Sequence, residues 1–215
     1  MRKDAERNRE LLLTAAREVF AERGLDASLD DVARRAGVGV GTAYRHFANK
    51  YELATAIFAE EVDEIAALAE TAAQADDAWQ GLVDFLERTL EAQTVNRGLR
   101  EVLMGVHDPS QDEEVHTRLS GPIRALVTRA QLAGQVRADV DATDLGMLIV
   151  MLCAVADVAA DADPHLWRRY LAIMLAGLRP DGPAMPVQPL SEDVMRKAMS
   201  SFKQRLATQV QKTAG

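Results

Sequence analysis

The chain has 215 residues, 48% of them apolar but only 5% aromatic, and a formal net charge of −8. That size and apolar share supply a substantial core, the scarcity of aromatics argues against an all-β sandwich, and the many Ala, Leu, Arg and Glu residues favour helices. A single cysteine, Cys153, excludes an intrachain disulfide and a thiolate metal centre, and fits a reducing cytoplasm.

The charge is unevenly spread: residues 1–50 carry +2 and residues 51–215 carry −10. An acidic body repels a polyanion, so any nucleic-acid contact is expected from the first fifty residues. The opening "MRKDAERNRE" is charged from its second residue, which predicts no secretory signal. The longest apolar run, Leu145 to Ala156, is shorter than the ~20 residues a membrane span needs, and predicts a helix buried on all sides.

In chain order, "ERNRELLLTAAREVFAERG" places Leu12, Ala15, Ala16, Val19 and Phe20 on one stripe and ends at Gly24. "SLDDVARRAG" starts with Ser28 and Asp31 in capping-box spacing, buries Leu29, Val32, Ala33 and Ala36, and stops at Gly37. A short turn leads into "VGTAYRHF", and Asn49 with Glu52 opens a long helix. Further helices are expected at about 77–94, 97–105, 112–133, 142–161 and 164–178, with Pro164 in a first turn. "RPDGPAMPVQP" is a non-helical linker. After it, Ser191 caps a last amphipathic helix whose apolar face is Val194, Met195, Ala198, Met199, Phe202, Leu206 and Val210.

The glycines at 37, 39 and 41 invite comparison with a phosphate loop, but the spacing is wrong. A dinucleotide loop would need glycine where Thr42 stands and a strand before it, whereas a helix precedes. A P-loop would need its lysine directly after the second glycine, whereas Lys50 lies nine residues past Gly41. Two short helices joined by a glycine turn instead fit a helix-turn-helix, whose second helix enters the major groove. Gly37 supplies positive φ, Val38 plugs the corner, Gly39 caps the second helix, and Gly41 keeps its first turn thin. Ala43 and Phe47 face inward; Gly41 and Arg45 face outward, flanked by Thr42, Tyr44 and His46, donors suited to phosphate oxygens. Val40, at the end nearest the base edges, is a candidate for apolar contact with a thymine methyl.

Residues 25–58, "LDASLDDVARRAGVGVGTAYRHFANKYELATAIF", resemble the DNA-binding signature of the tetracycline-repressor (TetR) family of bacterial transcription regulators. The resemblance covers about residues 8–58. It implies that Thr42, Tyr44, His46 and Lys50 grip phosphates, that Val40, Gly41 and Tyr44 lie nearest the bases, and that Ser28 caps its helix beside the DNA backbone. Arg2, Lys3 and Arg7 would form a basic arm.

One reading helix is a weak reader, so a two-fold dimer is expected to present two of them to a near-palindrome in double-stranded DNA. The last two helices before the linker are the candidate interface, through Leu148, Leu152, Trp167, Tyr170, Leu171 and Met174. The middle helices are expected to enclose an effector pocket lined by Trp79, Leu82, Phe85, Leu86, Met104, His107, His116, Leu119, Ile123, Met147 and Met151. His107 and His116 lack metal spacing. No nucleophile–base pair, catalytic carboxylate pair or metal cluster is organised by the chain. The expectation is an all-α, cytoplasmic repressor answering to a small-molecule effector, neither an enzyme nor a membrane protein, with no cofactor or metal. Its three-helix helix-turn-helix DNA-binding domain spans 1–50, and its helical effector-binding and dimerisation domain spans 51–180. The linker and extra C-terminal helix span 181–215.

Overall fold

The computed structural model describes residues 2–103, 109–195, 197, 198 and 201, with side chains described from Asp4 to Leu103 and from Val115 onward. The described residues form helices and no strand: α1 (Arg2–Arg23), a 3-10 turn (Gly24–Asp26), α2 (Leu29–Ala36), α3 (Val40–His46), α4 (Lys50–Ala72), α5 (Ala78–Val95), α6 (Arg97–Leu103), α7 (Pro109–Leu132), α8 (Ala142–Ala159) and α9 (Leu166–Gly177).

Local chemistry accounts for the boundaries. Ser28 Oγ accepts from the Asp31 amide at 3.1 Å while the Ser28 amide donates to Asp31 Oδ2 at 3.0 Å, so both halves of the capping box form. Gly37 ends α2 at φ +66°, a left-handed conformation that a Cβ would strain. Asn49 Oδ1 accepts from the Tyr51 and Glu52 amides, both at 2.9 Å, and opens α4. Pro164 lies before α9 and not in its first turn: His165 is the N-cap, its amide held by Asp163 Oδ1 at 2.9 Å.

Two cores share the long strut α4. Leu12, Phe20, Leu29, Val32, Ala43 and Phe47 pack with the first half of α4 through Leu53, Ile57 and Phe58. Its second half, through Ile65 and Ala69, joins Leu82, Phe85, Leu86, Leu126, Leu152, Trp167 and Leu171 in the larger core. Short α6 stitches the two together. Glu101 Oε2 accepts from the Leu25 amide at 2.6 Å, and Arg97 bridges Asp26 and Glu101 at 2.6 and 2.8 Å. Gly98 lets α6 come this close, since a Cβ there would stand 2.8 Å from the Phe20 carbonyl oxygen.

Helix α8 departs from expectation. Its 18 residues have a mean hydropathy of 1.9, long and apolar enough to cross a membrane, yet only 28% of it is buried. Leu145, Ile149, Leu152, Cys153 and Ala156 enter the core, while Met151 and Val158 face outward at 43% and 90% exposure. The inward stripe alone satisfies this chain's core; the outward one is left over. The linker beyond α9 is non-helical and is clipped down: Arg137 Nη2 donates to the Pro183 carbonyl, and Asp139 Oδ2 accepts from the Met185 amide at 2.9 Å. Of the expected last helix, residues 192–195 are helical, while Met199, Phe202, Leu206 and Val210 lie outside the described residues.

Candidate functional site

The α2–α3 turn presents one bare helix. Ala43 and Phe47 are buried against the first core, which fixes the rotation of α3 and turns Val40, Gly41, Tyr44 and Arg45 outward. Val40 is 42% exposed and Tyr44 52%, one turn apart on the outward face of α3. A Cβ at Gly41 would touch nothing within 4 Å, so its open face admits a close neighbour. Thr42, His46 and Lys50 are half-buried at the rim.

Hydrogen bonds hold these groups in place. Arg45 Nη2 donates to Thr42 Oγ1 at 2.7 Å, which leaves the threonine proton free to donate elsewhere. Lys50 Nζ donates to the Leu25 carbonyl, using one of its three protons. Tyr44 stands beside Asp30, whose negative charge raises the phenol's pKa and keeps it protonated. Asp30 was not among the residues singled out from the sequence, where it reads only as a first-turn acid of α2. The signal was its place on α2 opposite Tyr44, which becomes visible only once α2 and α3 cross.

Asp31 anchors the turn. Its pKa is lowered to about 2, chiefly by the backbone and hydroxyl hydrogen bonds of Ser28, then by the charges of Arg23 and Arg34. A carboxylate depressed in the folded state stabilises above its unfolded pKa of about 3.9 and loses that contribution as pH falls through the folded value. The stability difference between the parent chain and Asp31→Asn is therefore constant above pH 5 and shrinks toward zero between about pH 4 and 2. Urea titrations of both proteins across that range check this; a difference that does not change with pH would contradict it.

Behind α4 lies an apolar cavity of 240 Å³. Of the expected effector-pocket residues, Phe85, His116, Leu119, Ile123 and Met147 line this cavity, joined by Thr89, Gln93, Val102, Leu103, Leu145 and Ile149. Four expected residues do not line it. Leu82 and Leu86 are fully buried in the core on another side of α5. Trp79 faces the linker, with the Arg179 guanidinium 3.5 Å from its ring centroid. Met151 lies on the outward stripe of α8. Met104 and His107 lie outside the described residues, as do the side chains of Arg2 and Lys3. Thr89 and Gln93 were missed because a polar pair one turn apart reads as a solvated stripe, whereas both are at most 3% exposed.

The interface expectation needs a similar correction. Leu152, Trp167 and Leu171 are at most 2% exposed within one chain and belong to its core. Tyr170 remains outward at 40%, while Leu148 and Met174 pack partly against the core. The free apolar stripe consists instead of Met151, Val158, Tyr170 and Ile173, the last 57% exposed. Helical periodicity located α8 and α9 but could not say which of two apolar faces each turns inward.

A short helix held by an αL glycine, with its buried face spent on the core and a hydroxyl, phenol and guanidinium outward, defines a helix-turn-helix reading head on an all-helical body. Comparison with known proteins gives the family. The sequence model of bacterial regulatory proteins of the tetR family matches residues 12–57, and that of the SbtR-like transcriptional regulator C-terminal domain matches residues 77–180. A TetR transcription regulatory protein from Mycobacterium vanbaalenii is 32% identical, with 83% of this chain and 98% of that one covered and a TM-score of 0.51. TetR transcriptional regulator SCO0520 from Streptomyces coelicolor is 28% identical, covering 81% and 99% at a TM-score of 0.54. The HTH-type transcriptional regulator SAR0097 of Staphylococcus aureus is 43% identical over 67 residues, 30% of this chain and 35% of that protein. The curated relatives are thus matched over about a third of their length. The chain belongs to the TetR family of transcriptional regulators.

Proposed function

We propose that this chain is a repressor that binds a near-palindromic operator as a homodimer and releases it when a small molecule occupies the cavity. The observation that carries the reading is the α3 surface, where Val40, Tyr44 and Arg45 stand exposed on a helix whose other face is locked by Ala43 and Phe47. Thr42, Tyr44, His46 and Lys50 supply phosphate donors, Arg45 adds a cation, and Val40 with Gly41 meets the base edges. Ser28 acts beside them through its cap. Residues 1–50 form the head, 51–180 the effector-binding and dimerisation body, and 181–215 the linker and C-terminal helix, with α4 running from one core to the next. The reading places the protein in the cytoplasm with DNA.

The outward stripe of α8 and α9 supports dimerisation, because apolar residues this exposed on adjacent helices call for a second copy of the same stripe. Coupling runs through α6. Val102 and Leu103 line the cavity, while Arg97, Gly98 and Glu101 of that same helix grip the head. Arg100, 8% exposed, ties α6 to α8 through Asp157 at 3.1 Å. A ligand that shifts α6 therefore moves the heads relative to the dimer helices, with a coupling of about 1–3 kcal/mol, or 5–150-fold in operator affinity.

Selection from a pool of random duplexes tests the reading. The enriched sequences should be near-palindromes with half-sites one helical turn apart, ~34–36 Å, bound by two chains or a multiple of two. Enrichment of single, asymmetric sites by one chain would overturn the dimeric operator reading.

A further inference from the structure

The cavity holds one polar file in an apolar wall. On α5, Phe85, Thr89 and Gln93 follow one another at one-turn spacing and all line it. Thr89 is 2% exposed and its Oγ1 has no hydrogen-bond partner, although threonine hydroxyls in helices ordinarily find one. Gln93, 3% exposed, sets a carboxamide one turn further along. Both groups donate and accept. An unpaired buried hydroxyl destabilises the empty protein, and a ligand's hydrogen bond removes that penalty.

Charge tells what the cavity refuses. Among the described lining residues, only Glu192 and His116 can carry charge, and Glu192 is already paired with Arg124. Glu192 accepts from Arg124 and faces His116 Nε2 at 3.1 Å, and these contacts hold its pKa below the usual carboxylate range. An ionised ligand entering the cavity would meet no free counter-charge among the described residues.

Glu192 arrives on a separate piece of chain. The segment clipped at Pro183 and Met185 runs back past α8, where Thr143 Oγ1 donates to the Leu190 carbonyl at 3.2 Å. It ends with Glu192 on the mouth and Met195 in the wall. It lies beyond residue 180, where the match to the family's C-terminal domain stops.

We propose that the cavity takes a neutral, mostly apolar molecule about the size of one substituted aromatic ring, hydrogen-bonded to Thr89 and Gln93, and that residues 183–195 form the strap that shuts it in. The size follows from the volume: an apolar cavity of about 150 Å³ accepts benzene, and this one measures 240 Å³. The inference rests on the cavity being the effector site.

Calorimetry on the full chain at pH 7 with 4-propylphenol, propylbenzene and 4-propylbenzoate tests it, because the three share a skeleton and differ in one group. The phenol should bind about fivefold tighter than the hydrocarbon, on the scale of one neutral hydrogen bond, and the benzoate weakest of the three. Thr89→Val should cut the phenol's advantage over the hydrocarbon, with Gln93 supplying what remains, without lowering the melting temperature of the empty protein. Glu192→Ala should speed dissociation of both neutral probes severalfold while preserving the phenol's advantage. The proposal is overturned if the benzoate binds best, if none of the three binds, if Thr89→Val keeps the phenol's advantage undiminished, or if Glu192→Ala leaves dissociation unchanged. Binding and duplex release separate the two readings. A benzoate that binds best and releases DNA keeps the effector site and discards this ligand class. Selective phenol binding with no effect on duplex affinity does the reverse.

Discussion

Tyr44→Ala lowers affinity for the selected duplex by about 10²- to 10⁴-fold while the protein keeps its fold and its dimer. The size follows from a hydrogen bond to a charged phosphate, about 1.5–3 kcal/mol, lost once in each of two heads. The fold survives because Tyr44 is 52% exposed and takes no part in the buried core. Exposed substitutions of this kind change stability by about 0.5 kcal/mol or less. Tyr44→Phe separates ring from hydroxyl: it removes the phosphate bond and retains the apolar contact. Duplex titration beside urea denaturation and gel filtration checks all three properties. An unfolded variant, or one that binds as well as the parent, would remove Tyr44 from the reading surface.

With the α8–α9 stripe as the proposed dimer interface, Ile173→Glu is expected to give a monomer at micromolar concentration and to weaken duplex binding with it. Ile173 is 57% exposed in the single chain, so the substitution costs the monomer little. A two-fold interface through this stripe would bury the glutamate of each copy in apolar surroundings, where unpaired charges are strongly unfavourable. At least a hundredfold rise in the dimer dissociation constant is expected. Trp167→Ala behaves differently although it lies on the same helix. Trp167 is 1% exposed and fills the larger core, so its loss destabilises the fold by about 3–5 kcal/mol. Gel filtration with circular dichroism distinguishes them: one variant should be a folded monomer, the other a less stable protein. A dimeric Ile173→Glu would place the interface elsewhere.

These two variants also show what the sequence alone could settle. Helix ends were readable because their causes are local. Ser28 with Asp31, Gly37, and Asn49 each act within three or four residues of the boundary they set. The outward face of α3 was readable too, since the apolar positions Ala43 and Phe47 turn the opposite side to solvent. The body was harder because α8 is apolar on two faces, and periodicity assigns neither to the core. Leu152 and Trp167 were therefore placed on an interface when they fill the interior. The cavity shows the same limit: Phe85 and Leu86 are neighbours on one apolar helix, yet only Phe85 lines it. Thr89 and Gln93 meet Glu192 at one cavity through packing across about a hundred residues, which no local pattern encodes.

The central claim, that α3 and its rim read DNA through phosphate contacts, is met most directly by titrating the selected duplex across a salt series. Arg7, Arg45 and Lys50 in each of two heads would neutralise six phosphates, so affinity should fall about 10³-fold between 50 and 200 mM salt while sequence preference persists. Affinity that ignores salt, with no preference for the selected duplex over a scrambled one, would contradict it.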